Sequence, residues 1–193
     1  MTYLQKECGE PSLLNSLQQG GYILYTRHGE ANIGTDQPYL DLNNCNTQRN
    51  LSDNGRMQAT LYGNIIRNLH IPIEYPILAS PFCRTIETAA LAFGGMNVQV
   101  DPIGFDIFKL DTNLNPLEQQ RILNNLQSEL ELLPSMGKNK VMVAHSFPKD
   151  VGLGTIPYMG TVVVKPLGKG NGYQIVTSLS LEQLQYLWSM CSG

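Results

Sequence analysis

Three short apolar runs, each ending at a polar residue, constrain the fold of this chain more than any other feature. They occupy residues 22–26, 77–79 and 141–144. Runs of this length that are rich in β-branched and aromatic residues are typical of buried strands, and the longer amphipathic segments between them are typical of helices. Strands that alternate with helices predict an α/β domain with a mostly parallel central sheet.

The segments between these strands carry helix and loop signals. A helix over residues 53–69 is predicted by Ser52 as its cap and by an apolar face at Met57, Leu61, Ile65 and Leu69. Ser80 is predicted to cap a second helix, with Pro81 at its first position. Residues 30–50 and 101–115 show no periodicity and are interpreted as irregular segments. Polar segments of that length inside a domain are usually functional.

Composition narrows the classes of function. With 193 residues, 42% of them apolar and 15% charged, the chain is predicted to form one domain over residues 1–193. The net charge of −3, without a basic tract, argues against nucleic-acid partners. No apolar run reaches the roughly 20 residues of a membrane span. The N-terminus does not resemble a signal peptide.

The four cysteines show no C-x-x-C spacing, which predicts neither a zinc site nor a disulfide framework. A reduced, cytoplasmic setting is therefore expected. Cys83 is expected to pack as a small apolar side chain.

Chemistry-bearing side chains follow the ends of the predicted strands. Arg27 and His28 come after the first strand, and His145 after the third. Arg84 lies four residues beyond Ser80, in the first turn of a predicted helix. Because ligands bind at the carboxyl ends of parallel strands, these side chains are expected to share one crevice. Two arginines, two histidines and a helix N-terminus suit a dianionic phosphate.

Four motifs, taken in order, resemble the histidine phosphatase superfamily, also called phosphoglycerate mutase-like. They are "RHGE", "TQRNLSDNGRMQA", "SPFCRTIETA" and a strand ending in "AHS". The resemblance covers roughly residues 21–166. It implies a three-layer α/β/α sandwich around a mostly parallel sheet, and a phosphatase acting on a small phosphorylated substrate without metal or other cofactor.

The resemblance also implies roles for individual residues. His28 would be the nucleophile and would be transiently phosphorylated. Arg27 and Arg84 would hold the phosphoryl group, and His145 would bind it and stabilise charge in the transition state. Glu30 and Asn32 could border the pocket.

The general acid is not defined by a motif. Asp106 is the first candidate and Asp111 the alternative, because both lie in the middle segment from which the mutase-like branch supplies its carboxylate. Glu87 lies within a predicted helix and is less favoured.

Two other functions are alternatives to hydrolysis: mutase-type phosphoryl transfer, and a non-catalytic module that binds a phosphorylated ligand. Mutases of the family carry insertions for which this length leaves little room, and a binding module would be expected to lack one of the four main residues. The substrate would be selected by the loops at residues 31–50 and 101–115, and the oligomeric state is open.

Overall fold

A computed structural model describes residues 12–191 as six helices and six strands. The helices are α1 (Leu13–Gln19), α2 (Asp53–Asn68), α3 (Cys83–Phe93), α4 (Ile103–Lys109), α5 (Pro116–Leu130) and α6 (Leu181–Cys191). The strands are β1 (Ile23–Arg27), β2 (Ile77–Ala79), β3 (Val98–Val100), β4 (Lys140–Ala144), β5 (Thr161–Pro166) and β6 (Tyr173–Leu179).

All six strands form one sheet in the order β3-β2-β4-β1-β5-β6. The first four strands of that order are parallel to one another, and β5 pairs with β1 in the antiparallel sense. The predicted mostly parallel sheet is confirmed. Because β1, β2 and β4 run in the same direction, the residues that follow them meet at one edge of the sheet.

Helices cover both faces of the sheet, which confirms the predicted α/β/α layers. Alternate residues of each strand point to opposite faces. On β1, Leu24 packs in the core that lies beneath α2, α3 and α6, whereas Ile23 and Tyr25 pack in the core beneath α4 and α5. The strand is buried on both sides, and its end is therefore held in place by two cores.

Helix α4 lies in a segment that was predicted to be irregular, and that prediction is wrong. The Asp101 carboxylate accepts a hydrogen bond from the backbone N–H of Ile103 at 3.0 Å, at the first residue of the helix. Ile107 is completely buried against the sheet. With seven residues the helix offers only two turns of apolar pattern, too short for periodicity to distinguish it from a loop.

Ser80 does not cap α3. The helix begins at Cys83, with Phe82 at the cap position and no side-chain cap, and Ser80 instead hydrogen-bonds to a histidine ring. The apolar face predicted for α2 is also only partly correct. Met57 is 64% exposed, while Ala59 and Tyr62 are completely buried.

The expectation that no disulfide is present is wrong, because Cys45 and Cys83 are bonded to each other. The bond joins residues separated by 38 positions and attaches the 30–50 loop to the first residue of α3. Spacing rules identify paired cysteines only when they recur in a short motif. The cysteines of this pair come together through the fold.

None of the helices within residues 12–191 is long and apolar enough to cross a membrane.

Candidate active site

His28 lies directly after β1 and is 2% exposed. Its Nδ1 is 2.7 Å from the carbonyl oxygen of Gly29. Because a carbonyl oxygen can only accept, Nδ1 carries the proton in this bond, and Nε2 of the neutral ring keeps a free lone pair. Burial, followed by the charge of Arg84, holds the pKa of His28 well below its usual value. The ring is therefore neutral near pH 7 and can act as a nucleophile.

The turn after His28 is fixed by close backbone approach. A Cβ on Gly29 would lie 2.5 Å from the carbonyl oxygen of Gly55 in α2, and one on Gly55 would lie 2.0 Å from the carbonyl oxygen of Glu30. Only glycine fits at these two positions. The first turn of α2 thus packs against the backbone that carries the candidate nucleophile.

Arg27 directly precedes this histidine in the chain, and the charges of Arg27 and Arg84 both lower its pKa. Arg27 donates from Nη1 to the carbonyl oxygen of Ile156 at 2.8 Å, and its guanidinium carbon lies 4.0 Å from the ring centroid of Tyr158. Arg84, which is 2% exposed, packs over the ring of Phe82 at 4.3 Å. Burial is the main cause that lowers the pKa of both guanidinium groups.

Each of these two arginines has one buried donor that finds no partner in the part of the chain that the structure describes. Among the buried side-chain polar atoms of the described residues, only Arg27 Nε and Arg84 Nε have no hydrogen-bond partner. Leaving a buried N–H unpaired is unfavourable, and the cost is largest when the group is charged. An anion bound between the two arginines would accept hydrogen bonds from both N–H groups and so remove this cost.

His145 completes the group at the end of β4. Its ring centroid lies 5.5 Å from that of His28, and its Nε2 is 2.8 Å from the Ser80 hydroxyl oxygen. The Tyr25 hydroxyl donates to its backbone carbonyl oxygen at 2.8 Å. Burial, and then the proximity of His28, keep the pKa of His145 well below its usual value. The structure therefore brings together all four residues for which the sequence predicted one crevice: Arg27, His28, Arg84 and His145.

The 30–50 loop contributes Asp36, which no motif had indicated. Its Oδ1 accepts a hydrogen bond from Arg84 Nη1 at 2.8 Å, and its Oδ2 accepts one from Arg84 Nη2 at 3.3 Å. Gln48 of the same loop accepts from the backbone N–H of Cys83 at 2.8 Å. The loop is thus bonded to the start of α3 by side chains as well as by the disulfide.

The remaining predicted residues lie in different surroundings. The Glu30 carboxylate accepts hydrogen bonds from the side chains of Ser52 and Asn54, which lower its pKa. Asn32 is exposed and donates to the carbonyl oxygen of Leu51 at 3.3 Å. These contacts place both side chains at the start of α2, so their predicted role at the rim of the pocket stays a prediction.

The two candidate acids also differ. Both oxygens of Asp106 are engaged by cations, Lys109 on one side and Arg121 on the other. Asp111 is exposed just beyond α4, and its charge raises the pKa of Arg27. Glu87 forms an ion pair with Arg56 at 2.7 Å.

Within residues 12–191, histidine, cysteine and carboxylate side chains form no group of three that could hold a metal ion.

Comparison with protein families points to the same residues. The model of the histidine phosphatase superfamily (branch 1) matches residues 23–103, which include the Arg27-His28 pair and the start of α3. Over these residues the chain is similar to that superfamily. No sequence among the curated proteins matches it significantly.

Several solved phosphatase structures share its fold. The protein histidine phosphatase SixA, complexed with tungstate, is 18% identical with a TM-score of 0.54, over 84% of this chain and 99% of that one. The phosphoserine phosphatase from Entamoeba histolytica, in complex with 3-phosphoglyceric acid, is 15% identical with a TM-score of 0.52, over 84% and 98%. The α-ribazole phosphatase from Shigella flexneri is 12% identical with a TM-score of 0.52, over 83% and 96%. At these identities the likeness concerns the fold.

Proposed function

We propose that this protein is a metal-independent phosphatase that hydrolyses a small phosphorylated substrate through a phosphohistidine intermediate on His28. The observation that carries the proposal is a pair of buried donors beside a buried neutral histidine: Arg27 Nε and Arg84 Nε, which have no hydrogen-bond partner among the described residues. Donors of this kind suit the oxygens of a phosphoryl group, and a free imidazole lone pair suits attack on its phosphorus.

The reaction takes place in two displacements. In the first, the lone pair of His28 Nε2 forms a bond to phosphorus while the bond from phosphorus to the leaving oxygen breaks. In the second, a water oxygen attacks the phosphorus, the N–P bond breaks, and inorganic phosphate leaves. Arg27, Arg84 and His145 surround the transferring group and stabilise the charge that develops on its oxygens.

The leaving oxygen of an alkyl ester needs a proton. Asp111 is the better placed of the two candidate acids, because it lies close enough to Arg27 to perturb its pKa and forms no ion pair among the described residues. Asp106 already forms ion pairs with Lys109 and Arg121. In this proposal Asp111 gives a proton to the leaving oxygen and takes one back from the attacking water.

The disulfide bears on where the protein works. Disulfides persist in oxidising compartments and are rare in the cytosol. The bond between Cys45 and Cys83 lies next to Arg84 and holds the 30–50 loop against the crevice. It therefore favours an oxidising compartment over the cytoplasm that the sequence had suggested.

The decisive experiment follows phosphate release from p-nitrophenyl phosphate in the presence of EDTA. We expect turnover by the wild-type protein, and loss of at least about 10³-fold in His28→Ala, because no other group would carry the phosphoryl intermediate. Rapid base quenching of the wild type with a radiolabelled substrate should trap protein-bound phosphate that survives base and is released by later treatment with acid.

His70→Asn is the matched control. His70 is exposed at the end of α2 and has a positive φ of 53°, a conformation that asparagine also tolerates. Undiminished activity of His28→Ala would refute the proposed nucleophile. Binding of phosphate without turnover by the wild type would identify a non-catalytic binding module, and isomerisation without phosphate release would identify a mutase.

A further inference from the structure

Arg49 lies beside the crevice, in a position fixed by its own backbone. Its backbone N–H donates to Asp36 Oδ1 at 2.8 Å, and its carbonyl oxygen accepts from Arg84 Nη1 at 3.2 Å. Asp36 Oδ1 also accepts from Arg84 Nη1 at 2.8 Å. Arg49 is therefore attached to the Arg84 guanidinium twice, once directly and once through a carboxylate.

The side chain of Arg49 is much less engaged than its backbone. It forms no ion pair with a carboxylate in the part of the chain that the structure describes. Within residues 12–191 its one hydrogen bond is to the carbonyl oxygen of Gly34, and at 3.4 Å this bond is long. A half-buried guanidinium is thus held near the site, and the described residues give it no counter-ion of its own.

The positive charge of Arg49 affects the pKa of all four residues that form the crevice. It lowers the pKa of Arg27 and Arg84, and it lowers the pKa of His28 and His145. Three guanidinium groups close together repel one another, and negative charge placed between them offsets that repulsion. Asp36 supplies one such charge, and it is bonded to Arg84.

We propose that Arg49 is a third arginine of the phosphate site, and that its guanidinium binds the phosphoryl group held by Arg27 and Arg84. The inference rests on the proposed function, and it assigns the 30–50 loop a direct part in binding. Asp36 and the disulfide keep the loop at the start of α3, so the phosphate site is assembled from the ends of the strands and from this loop.

The test measures equilibrium binding of inorganic phosphate and of tungstate by calorimetry. We expect Arg49→Gln to weaken the binding of both anions about 10- to 100-fold, the usual range for losing a charge-assisted hydrogen bond. Arg49→Lys should lose less, since it keeps the charge and loses the forked geometry. The urea midpoint of Arg49→Gln should not fall below the wild-type value, because among the described residues the side chain makes one long hydrogen bond and its charge repels Arg27 and Arg84.

Arg121→Gln is the matched control, because Arg121 is exposed on α5 and pairs with Asp106. The inference is overturned if Arg49→Gln binds both anions within about two-fold of the wild type, or if Arg121→Gln loses as much affinity. Anion binding is measured without turnover. An inactive wild type that still binds phosphate through Arg49 would therefore refute only the phosphatase proposal. An active wild type whose phosphate binding is unaffected by Arg49→Gln would refute only this inference.

Discussion

At the scale of single residues, the surroundings of Asp111 and Asp106 give them different expected roles. A general acid contributes about 10²–10⁴-fold when the leaving group is a poor one, and little when the leaving oxygen is already stable as an anion. We therefore expect Asp111→Asn to lower turnover of an alkyl phosphate by at least about 10²-fold while changing turnover of p-nitrophenyl phosphate only a few-fold. Steady-state rates on both substrates test this.

Asp106→Asn is the comparison variant. In the wild type the Asp106 carboxylate forms ion pairs with Lys109 and Arg121. We therefore expect Asp106→Asn to lose stability without changing the ratio of the rates on the alkyl phosphate and on p-nitrophenyl phosphate. Equal rates of Asp111→Asn and wild type on the alkyl phosphate would show that Asp111 is not the acid. The substrate would then be one whose leaving group needs no proton, such as a phosphohistidine or an anhydride.

The site residues that could be predicted are those that belong to ordered motifs. Arg27, His28, Arg84 and His145 each follow a recognisable strand or begin a recognisable helix, and the parallel sheet brings them together. Asp36 could not be predicted in the same way. It lies in a polar loop without periodicity, and its contact with Arg84 spans 48 residues. Such a contact depends on the path of the loop in three dimensions.

At the scale of elements, the 30–50 loop is fastened to α3 by one covalent bond. Cross-linking residues 38 positions apart removes freedom from the unfolded chain and typically stabilises a protein by about 2–4 kcal/mol. We expect the variant Cys45→Ser/Cys83→Ser to lose that much free energy of unfolding in urea titrations. Without the bond, Asp36 and Arg49 are also held less firmly, and phosphate affinity should fall.

The double variant contains its own control for reducing agents. Dithiothreitol should lower the urea midpoint of the wild type towards that of Cys45→Ser/Cys83→Ser, and should leave the double variant unchanged. If reduction shifted both proteins equally, the effect would not arise from this bond. If it shifted neither and the double variant were as stable as the wild type, the disulfide would contribute nothing to stability.

Most elements were predictable because each carries its own local signal. Asn115 accepts from the backbone N–H of Glu118 at the start of α5, and Ser180 and Gln183 form a capping box at the start of α6. The failures are of another kind. Met57 lies on the exposed side of α2 because the helix packs through Gly63, where a Cβ would lie 2.1 Å from the carbonyl oxygen of Ala92 in α3. Because α2 and α3 approach closely here, α2 buries a different face from the one predicted. The apolar pattern of the sequence does not show this close approach.

At the scale of the whole molecule, two neutral histidines are buried at the edge of the sheet, and this links folding to pH. Both have a pKa well below the usual value of about 6.5 when folded, and the unfolded chain returns them to that value. Below about pH 6.5 the unfolded state therefore binds more protons than the folded state, so stability falls as the pH falls. It is restored as the pH rises above that value.

We expect the free energy of unfolding to decrease between pH 6.5 and pH 5 by up to about 1.4 kcal/mol per pH unit for each histidine. Urea titrations across this range should give a shallower slope for His28→Asn than for the wild type, since one buried imidazole is removed. His70→Asn should keep the wild-type slope, because that histidine is exposed. Parallel curves for His28→Asn and wild type would contradict the assignment of His28 as a buried neutral base.

Bound phosphate should reduce the slope of unfolding free energy against pH. Its negative charge favours protonated histidine in the folded state and so narrows the difference in proton uptake between the folded and unfolded states. The low pKa that would leave His28 free to attack phosphorus in the proposed reaction thus also lowers the stability of the whole protein in acid.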